Sequence, residues 1–146
     1  MRLASQFIPT ALIIAVCSSI CLAREDTLEE LKAKAQTATA ADQAKFYIQI
    51  AHLQLGAADK AYAAGQTPEA QNAIRDVASY SEKAGEAALK SGKHQKNTEI
   101  ELRKMARRLR DIQPTLNVED RAPVQDAIDR LEHVRSQLLM SMFSKK

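Results

Sequence analysis

From Phe46 to Ala64, apolar residues recur on two neighbouring stripes of a helix drawn at about 100° per residue. Phe46, Ile50, Leu53, Ala57, Ala61 and Ala64 make one stripe, and Tyr47, Ile48, Ala51, Leu55, Ala58 and Tyr62 make the other. Only Gln49, His52, Asp59 and Lys60 mark a polar arc. A helix apolar over more than half its circumference needs cover on more than one side, because one packing partner hides only about a third of it. The pattern predicts the central helix of a bundle, ended by Gly65, the residue best suited to a left-handed position after a helix.

The same periodicity predicts four further helices. Thr27-Leu28-Glu29-Glu30 has the form of a capping box and opens a short helix to about Ala38, with Leu28, Leu31 and Ala35 inward. Thr39-Ala40-Ala41-Asp42 offers a cap of the same style for the central helix. After Gly65, Thr67 and Pro68 read as N-cap and first helical residue of a helix to about Ser91, and so short a turn forces an antiparallel hairpin. That helix buries Ala70, Ala73, Ile74, Val77, Tyr80, Ser81, Ala84 and Ala88. Small residues on the facing stripes allow the two axes to approach closely. Ser91-Gly92 is a second stop. Thr98 then caps a helix to about Gln113, with Leu102, Met105, Leu109 and Ile112 inward, and Pro114 ends it. The last helix begins near Asp120 with Pro123 in its first turn, and Val124, Ile128, Leu131, Val134, Leu138 and Met142 form its stripe.

Composition sharpens the fold class. Gly and Pro number only four each in 146 residues, Trp is absent, aromatics make up 4%, and strong helix formers dominate. The expectation is an all-α domain over residues 24–146, either an antiparallel helical bundle or stacked helical hairpins, with about five helices.

Residues 1–23 read as a secretory signal peptide: Arg2, an apolar run from Phe7 to Ile20, and small residues at 21 and 23 that place cleavage after Ala23. An uncleaved anchor is the competing reading, but the run is short for a span and contains Pro9. A lipoprotein leader fits less well, because bulky Val16 and Ile20 precede Cys17 and Cys21. The expected location is therefore exported, periplasmic or secreted, with membrane contact only through an uncleaved leader. Both cysteines fall in the leader, so disulfides, thiolate catalysis and cysteine-based metal sites are not expected in the mature protein.

In the hairpin around Gly65, Ala58, Gly65, Glu69-Ala70, Ile74 and Val77 follow one another in an order that resembles a tetratricopeptide repeat over residues 51–84. The resemblance implies a helical hairpin with a concave groove for a peptide. Gln54, Ala57 and Ala61 stand where that family is similar in having Trp, Leu and Tyr. One period of about 34 residues further on, Glu99 and Lys104 replace the turn Gly and the contact Ala, so the likeness is confined to one unit.

Little in the chain points to catalysis. His52, His94 and His133 fall on different elements, without HExxH or paired Glu-x-x-His spacing. No nucleophile elbow, phosphate loop or paired acid–base site is visible, and no enzyme activity, metal or cofactor is expected. The most asymmetric feature is basic: Lys90, Lys93, Lys96, Arg103, Lys104, Arg107, Arg108 and Arg110, against Glu99 and Glu101. Lys93, Lys96 and the five cations from Arg103 to Arg110 are a candidate face for an anionic surface or polymer, or the solvated outside of an amphipathic helix. Nucleic acid is not expected, because aromatic residues for base stacking are missing.

These features predict a non-catalytic exported protein, a protein-interaction or structural module that works through helix faces, with a protein partner or self-association. An alternative is a periplasmic chaperone or stress sensor similar to the small helical-hairpin dimers whose paired Leu-Thr-x-x-Gln motifs are distantly approached by Leu116–Asp120. A third is a helical metal carrier using histidine and the methionines of Met140-Ser141-Met142.

Overall fold

Thr27 begins the first helix as its sequence predicts. Its hydroxyl accepts from the Glu30 N–H at 3.3 Å, while the Glu30 carboxylate accepts from the Thr27 N–H at 3.0 Å. The computed structural model describes residues 26–144, and the expected leader lies outside them. Five α-helices follow in order: α1 (Leu28–Thr37), α2 (Ala40–Ala63), α3 (Thr67–Ser91), α4 (Gln95–Ile112) and α5 (Val118–Phe143), with a single 3₁₀ turn over Gln113–Thr115. No strand occurs among the described residues, and the architecture is all-α.

The turn between α2 and α3 is made by one glycine. Gly65 takes φ 71°, its N–H donates to the Tyr62 carbonyl at 3.1 Å, and the Gln66 N–H donates to the Ala61 carbonyl at 2.8 Å. This is the paired bonding of a Schellman motif. Gln66 at once becomes the N-cap of α3, accepting from Ala70 N–H at 3.0 Å. Thr67 is therefore the first helical residue and not the cap expected from its hydroxyl. The corner is so tight that the residue closing one helix also opens the next.

Two other helix starts lie earlier than their sequence signals. α4 begins at Gln95, behind His94 in a left-handed conformation (φ 60°), and Thr98 is buried in its first turn instead of capping it. α5 begins at Val118, which places Pro123 in the second turn. The exposed Glu119 carbonyl thereby lacks its helical N–H donor.

Which helices touch decides between bundle and stack. α2 packs most extensively on α3, α4 packs on α5, and α3 also packs broadly on α5, whereas α2 and α5 do not meet. In a square up-and-down bundle α3 and α5 would stand on a diagonal. Here they are neighbours, and they run parallel. Interhelix bonds record the offset: His52–Glu101, Asp59–Arg108 and Gln71–Asp120 each join residues 49 apart, and Glu82–Arg130 residues 48 apart. The molecule is a hairpin α2–α3 stacked in parallel on a hairpin α4–α5.

Burial repeats with the same step. All seven buried residues of α5 stand fifty positions after buried residues of α3, as in Ala70/Asp120, Ile74/Val124, Ser81/Leu131 and Ala88/Leu138. The inner helix carries the small member of most pairs. α3, with α2, α4 and α5 around it, buries Ala, Gly and Ser on two faces, and α5 supplies the volume. Gly85 marks the closest approach, since a Cβ built there would overlap Cγ1 of Val134.

α2 and α3 share the central position: α2 packs on α1, α3 and α4, and α3 on α2, α4 and α5, with eight residues of α2 and ten of α3 buried. The second stripe of α2 (Ile48, Ala51, Leu55, Ala58) lies in the main core as expected. The first is divided. Its Ile50 is fully buried outside that core, as are Leu31 and Ala35 of α1, which packs along α2. Beyond Ile50, Leu53, Ala57 and Ala64 are exposed.

Candidate functional site

The uncovered half of that α2 stripe forms one side of an open groove. Ala57, Ala61 and Ala64 line it from α2 and its cap, and Glu69, Asn72 and Ala73 from α3. At one end the Gln54 amide donates to Asp76 Oδ2 at 2.8 Å, tying the two walls together. α1 explains why the groove is open. It runs antiparallel to α2, with the Gln43 side-chain amide bonded to the Ala35 carbonyl at 3.0 Å near its end. At its start, Asp26 and Leu31 border a hollow with Gln49, His52 and Leu53. Ten residues of α1 cover the upstream part of the stripe, and the downstream part has no helix on it.

The seven cations of the candidate basic face are all exposed, but they do not form one free surface. Arg108 reaches across to Asp59 of α2, donating from Nη2 at 2.8 Å and from Nε at 3.2 Å; this contact raises the Arg108 pKa. Arg110 turns the other way, to Glu132 of α5 at 2.6 Å. Lys104 pairs with Glu101 at 2.7 Å, and Arg103 lies 3.9 Å from Glu99. Arg107, Lys93 and Lys96 make no ion pair among the described residues. The helical wheel of α4 alone overstates the positive face, because Asp59 and Glu132 arrive from other helices.

The same effect hides a set of interhelix clamps. Arg135 lies 2.7 Å from the buried Glu99 and 2.5 Å from Glu132, joining α4 to α5. Arg130 donates two hydrogen bonds to Glu82, at 2.8 and 2.7 Å, joining α3 to α5. That pair holds the Glu82 carboxyl below the usual range and raises Arg130. Glu101 is lowered first by its hydrogen bond from Lys104 and further by His52, whose Nε2 lies 2.9 Å from it. His52 thus meets Glu101, and Asp59, two turns further along α2, goes to Arg108. The pairs Glu99–Arg135, Glu82–Arg130, His52–Glu101 and Asp59–Arg108 join different helices and could not be read from spacing within one helix, unlike Glu101–Lys104 and Glu132–Arg135.

Among the described residues no three His, Cys, Asp or Glu side chains gather as metal ligands. His52, His94 and His133 remain on separate elements, and no described helix is long and apolar enough to cross a membrane. Comparison with protein-family models, curated proteins and solved structures finds no match for this chain.

Proposed function

We propose that the protein is a non-catalytic interaction module of the exported compartment, and that the open α2–α3 groove receives a helix of a partner protein. One observation carries the reading: the apolar stripe of α2 continues past the start of α1, from Ile50 under cover to Leu53, Ala57 and Ala64 exposed. α1 serves as the internal precedent, a short amphipathic helix laid along that same stripe. Alanine walls suit a helix, because they allow close axial approach, and the rim residues Lys60, Glu69 and Asn72 offer polar contacts around an apolar floor. The hairpin likeness to a tetratricopeptide unit points the same way.

Selection of helical peptides from a display library against residues 24–146 tests this. The expected binders share apolar positions at i, i+3 or i+4, and i+7, and lose binding at least tenfold to an Ala57→Arg variant that folds normally. Binders indifferent to Ala57→Arg would overturn the assignment of the groove.

A further inference from the structure

Unpaired cations gather around the start of α4, and Arg107 stands apart from them farther along the helix. Toward its C-terminal end the basic residues meet acids from α2 and α5, as Arg108 does with Asp59 and Arg110 with Glu132. Around its N-terminal end lie Lys90, Lys93 and Lys96, all exposed and without an ion pair among the described residues. α4 has no acidic residue in its first turn, and its N-cap, His94, makes no side-chain capping bond. Positive side chains beside the positive end of a helix oppose its dipole, so this arrangement works against the stability of α4.

The same end of the molecule carries exposed apolar side chains. The Gln95 amide donates to Ser141 Oγ at 3.1 Å, which fixes the C-terminal turns of α5 beside the start of α4. There Met140 and Phe143 are each 70% exposed, more than any other large apolar residue described except Val118. On the α5 wheel, Leu139 and Phe143 continue the flank of Glu132 and Arg135. Because α4 and α5 are antiparallel, that flank passes Arg110 and Arg103 and then Lys96. The acids end where the apolar residues begin. The acidic residues at this end are few: Asp42 is engaged by Lys45 at 3.2 Å, and Glu86 lies one turn before Lys90 on α3.

We propose that this end, formed by Lys93, Lys96, Met140 and Phe143, is a peripheral docking surface for an anionic lipid bilayer. It is a second surface, separate from the α2–α3 groove and independent of any leader, so membrane contact would not be confined to an uncleaved N-terminus. Charge complementarity selects the occupant. Flexible ammonium groups that lack protein partners match headgroup phosphates, uncapped α4 amides add donors for the same anions, and two apolar side chains enter the headgroup–acyl boundary. An acidic polysaccharide would use the lysines but would give Met140 and Phe143 no apolar phase.

The test is vesicle co-sedimentation of residues 24–146, which contain every described helix and the whole buried core. Vesicles are equal parts phosphatidylglycerol and phosphatidylcholine, or phosphatidylcholine alone, each at low and about 0.5 M salt. Binding is expected to the anionic vesicles at low salt, with at least a tenfold loss at high salt or without phosphatidylglycerol. The double variant Lys93→Gln/Lys96→Gln should weaken it more than tenfold, at roughly fivefold per lysine. Met140→Ser/Phe143→Ser should weaken it as much, while Arg103→Gln/Arg107→Gln stays within about threefold. All six positions are exposed, and unchanged melting confirms the fold of each variant. The proposal fails if anionic vesicles leave the chain in solution, or if the arginine pair matters and the lysine pair does not. It also fails if light scattering shows a concentration-dependent dimer abolished by Met140→Ser/Phe143→Ser, which would make the patch a self-association surface.

Discussion

Gly85 shows how a single missing methyl group sets the spacing of two helices. A helical Gly→Ala change ordinarily stabilises by about 0.5–1 kcal/mol. Here the new Cβ would overlap Cγ1 of Val134, and overpacking costs about 1–3 kcal/mol. Gly85→Ala is therefore expected to lower stability by about 1–2 kcal/mol in denaturant titration, and to raise it by up to about 1 kcal/mol in a Val134→Ala background. A loss of equal size in both backgrounds would place the strain elsewhere. Glu99 makes a complementary case. Its carboxylate is buried and meets Arg135, only 17% of whose side chain is exposed. Glu99→Ala would leave that guanidinium with Glu132 alone, at an expected cost of about 2–3 kcal/mol. Neither feature was legible in the sequence, because each depends on a residue in another helix about 36 to 49 positions away. The pH response belongs to this scale too. Glu82 is held below its ordinary pKa by the hydrogen bond from Arg130, so its ionised form stabilises the fold at neutral pH. That contribution disappears as the pH falls through the lowered folded value, and Glu101 adds to the trend. The melting temperature should fall as the pH drops from about 5 toward 3, and less steeply in Glu82→Gln.

At the scale of elements the sequence was legible wherever the signal is local. The capping box at Thr27, the stop at Gly65, the stop at Gly92 and the core stripe of α5 through Leu138 can all be read from consecutive residues. Gly65 requires a positive φ, and Gly65→Ala should cost about 1–2 kcal/mol by thermal melting while leaving the helical content unchanged. Starts without a local signature were misplaced. Hydroxyls marked Thr67 and Thr98 as caps, but a Schellman turn handed the first role to Gln66, and α4 starts four residues earlier, behind His94, with Gln95 buried and bonded to Ser141. The second cap is also chemically looser than the first. The Thr39 hydroxyl donates to Asp42 Oδ2 at 3.0 Å, so Asp42 does not reach back to the backbone.

For the whole molecule, the all-α class followed from composition and periodicity, whereas the choice of stacked hairpins required knowing that α3 and α5 touch. The fifty-residue recurrence of buried positions is nearly silent in sequence, because Ala and Ser in α3 answer Val, Ile and Leu in α5. The candidate basic face was only partly legible: its cations are exposed as expected, but acids from α2 and α5 occupy Arg108 and Arg110. The groove was legible in one respect. The first stripe of α2 announced apolar surface in need of cover, and α1 covers half of it. A photocrosslinking residue placed at Ala57, with Gln125 on exposed α5 as the control site, measures directly whether the rest is covered in the producing cell. A discrete crosslinked protein is expected from position 57, lost in a variant with Ala64→Arg at the exposed end of the groove, and none from position 125. No product at 57, or equal products at both positions, would contradict it.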